Sequence, residues 1–221
     1  IIFLRIFDLA FSLIFLTIFF PFGIIISLIL MLTGEGEVFY KQYRVGSNGA
    51  EFGLFKFATM VKNSPNIGSG DITLKKDPRV LPFGKLLRIT KLNEFPQFFN
   101  VLIGDMSIVG PRPLVKNQYR IFPAEAILKI KRLKPGITGI GSIIFRDEEK
   151  YLNNSNFDSQ DFYKNQIVPY KAILESWYYD NASIRLDVLL IIATSISIFF
   201  PKLNIQKSFF SGAPKHQLFN P

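Results

Sequence analysis

The sequence has no cysteine and a single histidine, His216, in a polar stretch near its end. Without cysteine there is no disulfide, no thiolate nucleophile and no thiolate metal site. One isolated histidine argues against serine–histidine catalysis and against a histidine-rich metal centre. Acid–base and metal chemistry therefore fall to Asp and Glu. Zinc-finger spacings and the aromatic RNA-binding signatures are also missing, so nucleic acid is not an expected partner. No internal repeat breaks the chain into units.

Apolar and basic residues are abundant. Of 221 residues 48% are hydrophobic, 24 are Phe, and the formal net charge is +9. Phe in sequence-local clusters points to a membrane. A basic surface suits anionic lipid or phosphorylated substrates. Leu9 to Leu32 is almost wholly apolar. A straight helix of that length is about 36 Å long, enough for a hydrocarbon core of about 30 Å. A signal peptide fits less well, because Thr33-Gly34-Glu35-Gly36 is a poor cleavage site. Pro21, at the midpoint, offers a third reading. It removes a helical hydrogen bond, leaving halves of about 18 Å that cannot cross alone. Arg5 before the run and Lys41 and Arg44 after it favour both ends being cytoplasmic. The residues alone leave a kinked spanning helix and a re-entrant hairpin equally open. Ile1 in place of Met points to a missing start or a short leader.

Beyond the membrane segment, Glu37 to Met60 reads as a β-hairpin, with a tight turn at Asn48-Gly49. Phe55 and Phe57 face one side and Lys56 the other. Lys62 to Lys76 is a loop rich in Asn, Ser, Gly and Pro. Short helices are expected at Phe83 to Ile89 and from after Asn93 to Ile103, with Gly104 as the stop. An amphipathic basic helix follows at Pro123 to Leu133, then a loop at Pro135 to Gly139. A longer helix covers Asp161 to Tyr179, and an interfacial or core helix Asp187 to Phe200. The tail from Gln206 is polar.

Candidate chemistry gathers between Thr90 and Pro113. Asn93 is first a good helix cap, with Glu94 suited to the first turn. The same geometry also suits phosphate at a helix N-terminus, and a carboxylate there can hold Mg²⁺ bridging phosphate oxygens. Asp105 after Gly104 is a turn residue or a second carboxylate. Arg112, stiffened between Pro111 and Pro113, presents a fork for bidentate phosphate recognition. Arg146-Asp147-Glu148-Glu149 is a solvated helix start, or Arg146 is an anion ligand.

Taken together, these residues resemble the bacterial sugar transferases, the monotopic phosphoglycosyl transferases. The likeness rests on Arg5-Ile6-Phe7-Asp8, Arg44-Val45-Gly46 with Asn48-Gly49, "FKFATM", "DPRVLPFGKLLRITKLNEFPQFFNVLIGDMSIVGPRP" and "KPGITG". It runs nearly the whole chain. The resemblance implies transfer of a phosphosugar from a UDP-sugar to a polyprenol phosphate, with UMP released and Mg²⁺ as cofactor. It implies an α+β fold: a re-entrant membrane helix over residues 1–33 and a cytoplasmic transferase domain over 34–205. That domain would hold a small β-hairpin and mostly helices, some interfacial, with residues 206–221 as a tail. It implies the cytoplasmic face of the bacterial inner membrane, contact with membrane lipid, and allows a homodimer. Glu94 would act at Mg²⁺. Lys56, Arg88, Asp105 and Arg112 match polar positions of the family pattern and would bind phosphate or support the site.

Two departures matter. The family's Asp-Glu-Leu-Pro-Gln motif aligns with Asn93-Glu94-Phe95-Pro96-Gln97. The family's Asp is regarded as the nucleophile that takes up the phosphosugar, and a neutral amide is a very poor one. Three readings follow: direct attack by the lipid phosphate with Glu94 organising charge, substitution by Asp105, or a membrane-anchored scaffold with little activity. An active enzyme is favoured, because Glu94, Asp105 and Arg112 keep the pattern. A UDP-releasing glycosyltransferase is a further alternative. The second departure is Ile140-Gly141-Ser142-Ile143, where many relatives carry a Trp-Ala-Gln type segment.

Overall fold

A computed structural model describes residues 2–67, 77–146, 148, 151, 159–200, 210 and 212–216. The fold is α+β, largely helical with small sheets. Its contacts form two compact units. The first joins Ile1–Arg44 to Glu51–Ile108, and the second joins Val45–Ala50 to Val109–Pro221.

The first unit begins with helix α1, Ile2–Thr33. Its stretch Leu4–Thr33 is long and apolar enough to cross a membrane by length and composition. Pro21 lies inside α1, and the helix runs through it without a second helix beginning. Pro21 is exposed, and packing on the opposite face continues past it. That packing is one narrow stripe. Asp8, Ser12, Leu16, Ile26 and Leu30 are buried, at spacings of four and ten residues that keep to a single helix face. Leu13, Ile14, Ile18, Phe20, Ile25 and Leu32 are exposed.

The stripe meets the rest of the unit along its whole length. Arg5 donates to the carbonyls of Val101 (2.6 Å) and Leu102 (2.8 Å), near the C-terminal end of helix α3, Gln97–Ile103. Helix carbonyls there lack internal partners and favour a cation. Asp8 accepts from Ser107 Oγ (2.8 Å) and the Ile108 N–H (3.0 Å). Phe15 stacks on Phe98 at 4.2 Å between ring centroids, and Phe19 leans on Phe95 at 6.1 Å. The Phe clusters in the sequence are therefore an aromatic seam between α1 and α3. At the far end, Ile26 and Leu30 share a core with Phe57 and Leu87.

Strands β1, Phe39–Val45, and β2, Glu51–Phe57, pair as the expected hairpin. The turn contains Asn48 at φ 56° and Gly49 at φ 76°, the left-handed backbone that Asn and Gly tolerate. Helix α2, Pro82–Ile89, has proline in its first turn, where the missing N–H costs nothing.

In the second unit, strand β3 (Ser107–Val109) leads out of the first unit, followed by α4 (Lys116–Ile121) and α5 (Ala124–Ile130). Strand β4, Gly136–Thr138, replaces the loop expected at Pro135 to Gly139. The reason is backbone pairing: Gly110 N–H donates to Thr138 O and Gly136 N–H to Pro111 O, both at 2.9 Å. Helix α6, Ile140–Ile144, follows directly. A helical run then comprises α7 (Ser159–Phe162), a π-helical turn (Tyr163–Ile167) and α8 (Val168–Asn181). Helix α9, Ile184–Phe199, is capped by Ser183 Oγ, which accepts from Leu186 N–H. It buries Leu186, Leu190 and Ala193 and exposes Ile184, Val188 and Ile192, so it is a core helix with one uncovered apolar face. Part of the expected polar tail docks. Phe210 and Ala213 are buried, Tyr170 OH donates to Pro214 O at 2.8 Å, and His216 lies 4.9 Å from the Tyr170 ring. Residues 68–76 of the expected loop, and Asp147 and Glu149, lie outside the described residues.

Candidate active site

Asn93 and Glu94 sit in a 3₁₀ turn, Leu92–Glu94, between α2 and α3. The turn is entered through Lys91 at φ 61°, a left-handed conformation that L-residues with a Cβ seldom adopt. Such local cost persists only where surrounding packing enforces it. Here the turn packs against both α2 and β2. Phe95, the next residue, joins the core of Phe57, Leu87 and Leu30. A Cβ at Gly23 of α1 would lie 3.5 Å from the Phe95 ring, so the turn rests on α1.

The helix-cap reading of Asn93 does not hold. The N-cap position of α3 is Pro96, and no side-chain cap bond forms there. Helix α3 begins only at Gln97, so Asn93 and Glu94 stand before its first turn. Asn93 is instead 7% exposed, and its Oδ1 has no hydrogen-bond partner among the described residues. A buried amide oxygen without a donor carries a desolvation cost of about 1–3 kcal/mol. Glu94, the next residue, is half-buried.

Three other expected residues belong to the same unit. Lys56 is on β2, and its Nζ donates to Gln42 Oε1 at 3.4 Å. The same oxygen accepts from Arg44 Nη2 at 2.6 Å. Gln42 thus gathers two cations onto one face of the hairpin. The sequence pattern did not single it out, although its place two residues before Arg44 on an alternating strand was a usable signal. Arg88 lies in the last turn of α2, and its carbonyl accepts from Lys91 N–H. Asp105 follows Gly104, the left-handed C-cap of α3 at φ 99°. Its Oδ2 accepts from Asn100 Nδ2 at 3.4 Å.

Asn100 is a second residue that the sequence reading missed. It is fully buried, accepts from Phe55 N–H at 2.9 Å and donates to Gly53 O at 2.8 Å. It fastens α3 and Asp105 to β2, and an Asn inside a short apolar helix announces this only weakly. The structure therefore brings Asn93, Glu94, Lys56, Arg88 and Asp105 into one unit. Arg112 and Arg146 belong to the second unit. Arg112 is exposed between its two prolines, and Arg146 is half-buried after α6.

Among the described residues, no group of three or more His, Cys, Asp or Glu could enclose a metal. A Mg²⁺ ion needs no such cage. It is commonly held by one or two protein oxygens, with water and substrate phosphate supplying the rest. One carboxylate beside one unmet amide oxygen fits that habit.

The bacterial sugar transferase family matches residues 1–201. The chain belongs to that family. This sugar transferase is 32% identical over 170 residues to the exopolysaccharide production protein ExoY of Rhizobium meliloti, covering 71% of this chain and 75% of that protein. It is 32% identical over 206 residues to the undecaprenyl-phosphate galactose phosphotransferase of Salmonella typhimurium, 86% of this chain and 39% of that one. It is 38% identical over 147 residues to the UDP-glucose:undecaprenyl-phosphate glucose-1-phosphate transferase of Klebsiella pneumoniae, 64% of this chain and 31% of that one. The sugar transferase thus spans three-quarters of the first relative and well under half of the other two.

Proposed function

We propose that this sugar transferase carries a phosphosugar from a UDP-sugar to a polyprenol phosphate at the cytoplasmic face of the inner membrane, starting a surface glycan. One phosphate oxygen of the lipid bonds to the β-phosphorus of the UDP-sugar. The bond from that phosphorus to the bridging oxygen breaks, and UMP leaves with its electron pair. The observation that carries this reading is the turn of Asn93 and Glu94. It is held between the strand of Lys56 and the helix of Arg88, and rests through Phe95 on the membrane helix. A lipid phosphate and a soluble nucleotide sugar meet only at such a boundary.

Each residue has a task suited to its chemistry. Lys56 and Arg88 neutralise the diphosphate. Arg112 grips its oxygens through a stiff fork. Glu94 and the Asn93 oxygen would hold Mg²⁺, and the ion, when bound, would supply a positive charge to offset that on the departing phosphate. Asn93 is no nucleophile, and Asp105 is tied to Asn100. We therefore infer direct transfer between the two substrates, with no sugar-phosphate bound covalently to the protein. Arg146 is a further anion contact.

The same reading places both ends of α1 on the cytoplasmic side, as a monotopic anchor that bends at Pro21 to re-enter. Support comes from the contacts that tie Arg5 at one end and Leu30 at the other to the rest of the same unit. A straight helix of 32 residues is about 48 Å long, and ends on opposite sides of a bilayer could not both touch that unit.

The test is product analysis in detergent with polyprenol phosphate, Mg²⁺ and a panel of UDP-sugars. UMP release that Glu94→Gln abolishes is expected, with no phosphosugar adduct on the protein by mass spectrometry. UDP release instead would mean glycosyl rather than phosphosugar transfer. An inactive wild type revived by Asn93→Asp would mean that the natural chain serves as a scaffold.

A further inference from the structure

The residues between Gly110 and Pro113 are fixed by backbone contacts that leave Arg112 little choice of position. Gly110 and Pro111 are bonded to β4, as described above. A Cβ on Gly136 would lie 2.1 Å from Gly110 N, and one on Gly139 2.2 Å from Gly110 O. The strands touch main chain to main chain. Pro111 and Pro113 have no N–H, so Arg112 carries the single backbone donor of that tripeptide. The donor points at Glu175 Oε1 of α8, 3.5 Å away.

Glu175 sits in unusual surroundings for a carboxylate. It is 4% exposed, and its Oε2 has no hydrogen-bond partner among the described residues. A Cβ on Gly141 of α6 would lie 2.4 Å from its Oε1, so the glycine there makes the room it occupies. One turn earlier on α8, buried Lys171 is paired with Glu148 at 2.7 Å and lies over the rings of Phe145 and Tyr163. Lys171 is thus committed elsewhere, and the guanidinium of Arg112 is the other cation that Glu175 feels.

We propose that Glu175 is a positioning residue for phosphosugar transfer, holding the Arg112 backbone from beneath so that its guanidinium meets the diphosphate of the nucleotide sugar. This rests on the function proposed above. Burial pushes the Glu175 carboxyl up to about 7, against the lowering pull of the Arg112 N–H, Lys171 and the Arg112 charge. Burial pushes Lys171 down while Glu148 holds it up, with Arg112 opposing and Glu175 supporting its charge. As pH rises through about 7, Glu175 ionises and becomes the stronger acceptor for the Arg112 N–H. Grip on the diphosphate tightens with it.

The experiment measures binding as well as turnover. Isothermal titration would use the UDP-sugar that supports UMP release, or UDP-glucose if none does, between pH 5.5 and 8.5. Wild-type affinity is expected to rise several-fold across neutral pH. Glu175→Gln should lose that step and bind about tenfold more weakly at pH 8, with the change in KM exceeding that in kcat. In an Arg112→Ala background the same substitution should add nothing, because it acts through Arg112. A Glu175→Gln protein that keeps the wild-type pH step, or an equal loss in the Arg112→Ala background, overturns the proposal. So does a wild type that binds no UDP-sugar. If Glu175→Gln does not fold, Glu175→Asp replaces it, and an unshifted pH step there is the overturning result. Binding that follows this pattern without UMP release would leave Glu175 in place and remove the transfer reaction.

Discussion

Removing one partner of the buried Asp77–Arg79 pair should cost the protein much of its stability. Arg79 Nη2 lies 2.6 Å from Asp77 Oδ2, with the side chains 4% and 3% exposed. Arg79 Nε adds a second bond to Asp77 Oδ1 at 2.9 Å, and its Nη1 donates to the carbonyls of Ser64 and Ile67, both at 2.8 Å. The pair closes the segment that delivers α2 and Arg88. Asp77→Asn leaves a buried guanidinium without its counter-charge, a loss of roughly 3–5 kcal/mol. For a chain of this size each kcal/mol moves the midpoint by about 2–4 °C, so a drop of roughly 6–20 °C is expected. Thermal unfolding followed by far-UV circular dichroism in detergent reads it. The single Trp, Trp177, lies in the second unit and would miss local loosening near α2. Asp77→Leu with Arg79→Met should recover most of the loss, because replacing both charges by apolar groups removes the uncompensated ion. A midpoint for Asp77→Asn within about 2 °C of wild type, under 1 kcal/mol, would refute the reasoning.

The anchor and the buried carboxylate give two further expectations. Asp8→Ala strands Ser107 Oγ and the Ile108 N–H, at about 1–3 kcal/mol for each unsatisfied group; a lower midpoint and faster proteolysis near Ser107 are the readouts, and unchanged behaviour would remove Asp8 as the fastener of α1. Glu175, raised from 4.5 to about 7, is neutral in both folded and unfolded chains at low pH, so its burial costs nothing there. As pH climbs from the unfolded value through the folded one, the unfolded chain gives up its proton first, and folded stability falls by on the order of 3 kcal/mol. Glu175→Gln should therefore gain on wild type between pH 5 and pH 8 in denaturant titrations, and a constant difference between the two would mean that the carboxyl is not desolvated.

Much of this architecture was legible in one dimension. The apolar length of α1, the Asn48-Gly49 turn and the Gly104 stop each carry a local physical cause, and each is where its chemistry put it. What escaped depended on neighbours distant in sequence. Asn93 looked like a cap because its own tripeptide allowed it, yet Lys91 turns the backbone left-handed and moves α3 three residues onward. Asn100 faces a strand 45 residues away. Gly136 to Thr138 became a strand through the main chain at Gly110, and Glu175 has meaning only beside Arg112 and Gly141. The supports of the candidate residues were not readable in the sequence.

The seam between α1 and α3 bears on any attempt to free this enzyme from lipid. Cutting away residues 1–33 would bare Phe95, Phe98 and Leu87 to water and leave the α3 carbonyls without Arg5. The fragment so made would be the candidate site minus its floor. A detergent that coats the outer faces of α1 leaves the enzyme whole, whereas one that wedges between the two phenylalanine rows dissolves the very ground on which Glu94 stands.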